Sequence, residues 1–214
     1  MSDFSGNFTE ISELLQKGKA KDIIVAVQKA LEAGASPADI LDKGLITGMN
    51  LIGKKFRDGE VFVPEVLIAA RAMNKASATL KPALAQAGIQ PVGKAIICTV
   101  KGDLHDIGKN LVKMMVEGKG IEVLDLGVDC SPEKVIDAIK TSGAKVVCLS
   151  ALLTTTMMAQ KDTIDAIKQA GLRDQVKIMV GGAPVTQSFA EEIGADAYTS
   201  DAASAAEACR AFFE

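Results

Sequence analysis

The chain has 214 residues, 48% of them hydrophobic, and this length allows one or two domains that each have an apolar core. A net charge of −3, basic residues interrupted by acids and an aromatic content of 4% argue against nucleic acid as a partner. No apolar run approaches the roughly 18 residues of a membrane span and the N-terminus lacks a signal-peptide pattern, so we expect a cytoplasmic protein with no membrane partner.

The cysteines agree with this expectation. None of the four shows CxxC spacing. Cys98 and Cys148 lie inside apolar runs that are typical of strands, which predicts buried thiols in the reduced state.

The first part of the chain has helical periodicity only, from residue 8 to about residue 88. Its apolar residues fall into four segments: the first ends near Gly18, the second near Gly34, the third begins at Ser36-Pro37 and the fourth at Pro64. Four helices with short connections predict an antiparallel bundle.

The pattern changes after the turn residues 87–93, so we expect a helical domain over 1–90 and a second domain over 91–214. The strands are predicted at 94–100, 121–126, 145–150, 176–181 and about 196–199, and the helices near 108–119, 132–142, 155–170, 185–193 and 201–213. Strict alternation predicts a parallel sheet with right-handed crossovers. Five strands favour a flavodoxin-like, Rossmann-like order, in which ligands bind where the first and third strands end.

Polar residues and glycines follow three of these strands. The loop after the first strand carries Asp103-Leu104-His105-Asp106-Ile107-Gly108, with the only histidine of the chain. Ser150 and Leu152 follow the third strand, with Thr154 behind them, and Gly181-Gly182 follows the fourth. Each feature alone has an ordinary explanation, since loop histidines are mostly solvated, hydroxyls cap helices and paired glycines make turns.

Together, the three segments resemble the cobalamin-binding signature, which consists of DxHxxG, then SxL, then GG. The helical half is similar too, because Met49-x-x-Ile52-Gly53-x-x-Phe56 and Val63-Pro64-Glu65-x-Leu67 resemble the helical cap of methionine synthase. The resemblance covers nearly the whole chain. It is strongest to the corrinoid proteins of three-component methyltransferase systems that act on methylamines, methanol or betaines.

This resemblance implies a cofactor and a set of binding residues. Cobalamin would bind base-off with His105 on cobalt, and the methylcobalamin form would occur in the cycle. Asp103 would receive the other imidazole N–H, and Ser150 would extend this network and contact the displaced nucleotide tail; these three are the expected catalytic residues. The remaining expected contacts are Leu104, Asp106, Ile107, Gly108, Leu152, Thr154, Gly181, Gly182 and Tyr198, with Met49 and Phe56 from the helical cap over the upper face. Tyr198 is equally compatible with the edge of the core.

The resemblance also implies a function, that of a subunit rather than a complete enzyme. The protein would carry a methyl group on cobalt from a substrate-specific methyltransferase to a second methyltransferase with a thiol or tetrahydrofolate (pterin) acceptor. A reductive activator of the corrinoid would be a third partner. The alternatives are a cobalamin-binding regulator, the small subunit of an adenosylcobalamin mutase and a receiver-like domain. The helical half argues against the mutase subunit, and Ser150 stands where a receiver needs an aspartate.

Overall fold

The structure, a computed structural model, describes residues 4–214. It divides between Pro91 and Val92 into two compact units, which we call the helical unit and the α/β unit. No helix within residues 4–214 is long and apolar enough to cross a membrane.

From residue 4 onward, the regular secondary structure of the helical unit is entirely helical, in keeping with its periodicity. The elements are α1 (Ser5–Gln16), α2 (Ala20–Glu32), α3 (Pro37–Asp39), a π-helical segment (Ile40–Ile46), α4 (Thr47–Arg57) and α5 (Val63–Gln86). The π-helical segment joins α3 to α4 without a break, so the predicted third helix is one rod of mixed geometry. α1 packs against α2, the π-helical segment and α4, and α2 packs against α5.

Two glycines allow this close packing in the mixed rod. A Cβ atom on Gly44 would lie 2.9 Å from Ile11 Cγ2, and one on Gly48 would lie 3.2 Å from the Ser12 carbonyl oxygen. Met49, on the same rod, is only 2% exposed, whereas Phe56 is half-buried. Met49 therefore has little surface left for a ligand.

The α/β unit has the predicted flavodoxin-like sheet. The strands are β1 (Lys94–Thr99), β2 (Glu122–Asp125), β3 (Val146–Ser150), β4 (Lys177–Gly181) and β5 (Ala197–Tyr198), all parallel, in the order β2-β1-β3-β4-β5. The helices are α6 (Ile107–Glu117), α7 (Pro132–Ser142), α8 (Met158–Gln169), a 3₁₀ turn (Arg173–Gln175), α9 (Gln187–Ile193) and α10 (Ala202–Ala211). The predicted fold class is confirmed.

Strand alternation gives the sheet two different faces. Ile96, Cys98, Leu149 and Val180 belong to a core that includes Ile164 of α8. β2 and β3 lie on opposite sides of β1, and α6 connects β1 to β2. A right-handed crossover therefore places α6 on the face of the sheet opposite to α8, where it packs against α10. Cys98 and Cys148 are both buried and free, as predicted.

Candidate functional site

The centre of the candidate site is a buried carboxylate, Asp103, on the loop after β1. Its Oδ1 accepts hydrogen bonds from the backbone N–H of His105 at 3.0 Å and from His105 Nδ1 at 2.8 Å. Its Oδ2 accepts from the Leu152 N–H at 2.8 Å and from Thr156 Oγ1 at 2.6 Å. Four donors therefore occupy the approximately four lone-pair sites of this carboxylate.

The electrostatics of Asp103 follow from this geometry. Burial alone would raise its pKa, because the charged form loses its hydration. The hydrogen bonds from Thr156, from the two backbone N–H groups and from the imidazole outweigh that effect, so the pKa of Asp103 lies well below its usual range. The side chain is consequently an anion at neutral pH and can only accept hydrogen bonds.

The hydrogen bond to Asp103 also determines the tautomer of His105. Because the carboxylate can only accept, Nδ1 carries the proton that it donates, and the neutral ring keeps the lone pair of Nε2 for another partner. The side chain of His105 is 51% exposed, although Asp103 beneath it is completely buried. The buried Thr99 hydroxyl donates to the His105 carbonyl at 2.8 Å and fixes the loop from the strand side. This arrangement presents a single oriented nitrogen ligand.

Thr156 was missed in the sequence, and it takes the part that we expected of Ser150. Within residues 4–214 the Ser150 hydroxyl makes no hydrogen bond to Asp103; the hydroxyl of Thr156, six residues later, makes it instead. The structure therefore assigns this hydrogen bond to Thr156, and the expected contact of Ser150 with the nucleotide tail stays a prediction. Ser150 lies beside Gly181 in the sheet register, partly exposed, and Thr154 is exposed at the same edge. Three consecutive threonines were visible in the sequence, but their spacing does not tell which one turns inward.

Large apolar side chains are exposed around His105. Ile107 is 80% exposed, Leu104 is 71% exposed and Leu152, next to the Asp103 network, is 41% exposed. An apolar surface of this kind is typical of a binding site. The rim fits a ligand that has apolar surface and takes one nitrogen from His105.

The glycines at this edge have two different roles. Gly182 has a φ of +131°, and a Cβ there would lie 1.7 Å from the Ala151 carbonyl oxygen, so it is required by the fold itself. A Cβ on Gly108 or Gly181 would meet nothing within 4 Å. These two positions leave open space that a ligand can enter.

Two further residues that were predicted to contact the ligand, Tyr198 and Asp106, lie in different parts of the α/β unit. Tyr198 pairs with Val180 and packs against the core on the α8 side, so alternation places it on the face opposite to Ser150 and Gly181. The core-edge interpretation of Tyr198 is the one that the structure supports. Asp106 is exposed at the start of α6 and accepts a hydrogen bond from Asn110 Nδ2 at 3.0 Å.

A buried ion pair, also missed in the sequence, fixes α6 to the sheet. Lys109 is 3% exposed, and its Nζ lies 2.7 Å from both carboxylate oxygens of Asp125 and 2.8 Å from Asn110 Oδ1. Partial burial would raise the pKa of Asp125, but Lys109, the Gly127 N–H and Lys113 lower it further than burial raises it. The first turn after the histidine loop is therefore held at the end of β2.

A metal at this site would need ligands that the protein does not supply. Within residues 4–214, no group of three or more His, Cys, Asp or Glu side chains could hold a metal ion. His105 can give one nitrogen, so a metal bound here would bring its other ligands with it. The donor set fits a corrinoid, because cobalt accepts imidazole nitrogen and the corrin ring would bring the other ligands with it.

In comparison with known proteins, two family models, each described as a B12 binding domain, match the chain, one over residues 93–210 and the other over residues 8–81. The dimethylamine corrinoid protein 3 of Methanosarcina acetivorans is 40% identical over 205 residues, covering 96% of both chains. The monomethylamine corrinoid protein 1 of the same organism is 47% identical over 184 residues and covers 84% of both chains. The crystal structure of a methanol:cobalamin methyltransferase complex from Methanosarcina barkeri is similar at 30% identity and a TM-score of 0.85, covering 95% of this chain and 78% of that one.

Proposed function

We propose that this chain is a methyl carrier, because it belongs to the family of corrinoid proteins with a B12-binding domain, whose cofactor is cobalamin. In this proposal a substrate-specific methyltransferase supplies the methyl group, and a second methyltransferase passes it to a thiol or pterin. A reductive activator would restore the cofactor after accidental oxidation. The relatives named after mono- and dimethylamine and the relative in a methanol methyltransferase complex support a small methylated amine or alcohol as the donor.

One observation carries the proposal: an exposed imidazole donates a hydrogen bond from Nδ1 to a buried carboxylate, while its Nε2 lies at an apolar edge with no hydrogen-bond partner among residues 4–214. When bound, the cofactor would supply a cobalt centre that accepts and releases a methyl group. His105 Nε2 is the group that would hold the metal from below, in the base-off form. Asp103 accepts the hydrogen bond from Nδ1–H and thereby fixes the tautomer and raises the basicity of the ligand. Thr156 and the Leu152 N–H keep Asp103 charged.

The remaining residues would bind and shield the cofactor. Leu104, Ile107 and Leu152 exclude water from the lower face by their apolar surface. Gly108 and Gly181, where a side chain would meet nothing, leave room for the displaced nucleotide tail. In the helical unit, the half-buried Phe56 is the proposed contact of the corrin, whereas Met49 serves the core.

Electron paramagnetic resonance of the cobalt(II) protein tests the ligand. In the wild type labelled with ¹⁵N-histidine, the nitrogen hyperfine splitting should change from the ¹⁴N pattern to the ¹⁵N pattern, and His105→Ala should lose this dependence on the label while the far-ultraviolet circular dichroism is unchanged. Since His105 is the only histidine, the label distinguishes its imidazole from the nitrogen base of the cofactor's own nucleotide tail. A wild-type splitting that does not respond to the label would exclude this residue as the ligand.

The carrier function needs a separate test. The reduced, cofactor-loaded protein is incubated with radiolabelled monomethylamine, dimethylamine or methanol and the methyltransferase specific for each. We expect protein-bound label with one of these pairs, and its release after a second methyltransferase and a thiol are added. If the protein binds cobalamin but takes up no label from any pair, the methyl-carrier proposal fails and a regulatory role becomes the better explanation.

A further inference from the structure

Asp129, on the loop between β2 and α7, has an unusual backbone conformation. It is the only residue other than glycine with a positive φ, +50°, within residues 4–214. The left-handed region is unfavourable for side chains with a Cβ, although Asp and Asn tolerate it better than most residues. The side chain is exposed, so core packing does not impose this conformation. Strain of this kind is often found at functional sites.

The contacts of Asp129 explain what the conformation achieves. Its Oδ1 accepts a hydrogen bond from the Gly102 N–H at 2.7 Å, and its own N–H donates to the Asp103 carbonyl oxygen at 3.0 Å. The next residue continues this cross-link, because the Cys130 N–H donates to the Thr99 carbonyl at 3.0 Å. Asp129 therefore binds two backbone groups at the start of the histidine loop.

Asp103 depends on these contacts for its position. Its backbone is held at two points, by its own N–H bond to the Val100 carbonyl at 3.1 Å and by the bond from Asp129 to its carbonyl. Its side chain must meet four donors at once, and a carboxylate displaced by a fraction of an ångström loses some of them. Gly102, with a φ of +82°, gives the segment before Asp103 additional conformational freedom that the Asp129 carboxylate removes.

We propose that Asp129 is a positioning residue, which holds the backbone at Gly102–Asp103 and so sets the orientation of the His105 imidazole. The positional part of this inference concerns the protein without cofactor. Its consequence for cobalt ligation rests on the proposed function. Three substitutions separate the contributions. Asp129→Gly keeps the left-handed conformation but loses the acceptor, Asp129→Ala loses both, and Asp129→Asn retains both with a weaker acceptor.

Nuclear magnetic resonance of the protein without cofactor tests the position. The single histidine gives one pair of imidazole ¹⁵N signals, whose separation at a fixed pH reports how completely the proton stays on Nδ1. We expect this separation to shrink in Asp129→Gly and Asp129→Ala and to remain near the wild-type value in Asp129→Asn. Glu133→Gln is the charge control, because it removes one exposed negative charge that acts on this region only through the charge of Lys101 and makes none of the hydrogen bonds of Asp129. The inference is overturned if Asp129→Gly keeps the wild-type separation, or if Glu133→Gln reduces it equally.

The cofactor-loaded protein provides the second measurement. Changes in the residues that orient a metal ligand typically lower metal affinity roughly 10- to 100-fold, so Asp129→Gly should weaken cobalamin binding within that range and reduce the nitrogen splitting of cobalt(II). Asp129→Asn should restore most of both. If the wild type itself lacks the splitting, the proposed ligand fails, while the ¹⁵N measurement still decides whether Asp129 positions the loop. Wild-type affinity and splitting in a folded Asp129→Gly would overturn its role in ligation.

Discussion

Replacing Thr156 by valine tests the energetic role of the Asp103 network. The substitution keeps the branched shape but removes the hydroxyl that donates to Asp103 Oδ2 at 2.6 Å. Both residues are buried, and a hydrogen bond to a charged group contributes about 1.5–3 kcal/mol. We therefore expect Thr156→Val to lower the free energy of unfolding by about 2 kcal/mol at pH 7, and the pKa of Asp103 to rise toward its ordinary range.

The pH dependence of this loss has a definite sign. The folded-state pKa of Asp103 is lowered, so the stability that it contributes is fully present above its unfolded pKa of about 3.9 and is lost as the pH falls through the folded pKa. The difference between wild type and Thr156→Val should be constant near neutral pH. It should shrink in acid, where the carboxyl of the variant is protonated first.

Urea denaturation measures both effects. The chain has one tyrosine, Tyr198, and no tryptophan, so tyrosine fluorescence follows the unfolding of the α/β unit alone. Thr156→Ser is the matched control, because it keeps the hydroxyl and should recover most of the loss. A decrease below about 0.5 kcal/mol at pH 7, or one that does not change in acid, would refute the assigned role of this hydrogen bond.

Two further substitutions test the fold around the site. Gly182→Ala should destabilise the protein by about 3 kcal/mol or more, because its Cβ would overlap the Ala151 carbonyl oxygen; Gly181→Ala, with open space, should leave the melting temperature nearly unchanged. Lys109→Met should cost about 3 kcal/mol at neutral pH by removing the buried partner of Asp125, as measured by urea denaturation. That loss should diminish in acid as Asp125 is protonated, and a neutral effect at pH 7 would mean that Lys113, 3.3 Å away, compensates fully.

The sheet could be predicted from the sequence because each buried parallel strand is a nearly continuous apolar run with turn residues on both sides. β3 is an example: its first four residues, Val146 to Leu149, are all buried, and the predicted range 145–150 differs from the observed one by a single residue. The strand order followed from the strict alternation of strands and helices and from the number of strands, which favoured a flavodoxin-like sheet. The position of Asp103 and His105 at the carboxyl edge followed from the same argument.

The details of the site could not be predicted in the same way. Whether Ser150 or Thr156 reaches Asp103 depends on the turns between β3 and α8, which have no periodicity. The burial of Lys109 depends on Asp125, sixteen residues away on another element. Tyr198 belongs to a strand of two residues, which is too short for alternation to show its face in the sequence.

The π-helical segment Ile40–Ile46 has a consequence for insertions and deletions in this family. A π turn closes its hydrogen bonds over five residues instead of four, so it is in effect an α-helix with an inserted residue. A deletion of one residue between Ile40 and Ile46 would restore an uninterrupted α-helix. The deletion would leave α4 facing α1 as it does now, with Gly48 still against Ser12, because the π segment already absorbs the extra residue. If the segment became α-helical without a deletion, α4 would instead rotate by about 100° relative to α3. A gap of one residue at this point in an alignment therefore marks relatives whose α4 presents the same set of side chains.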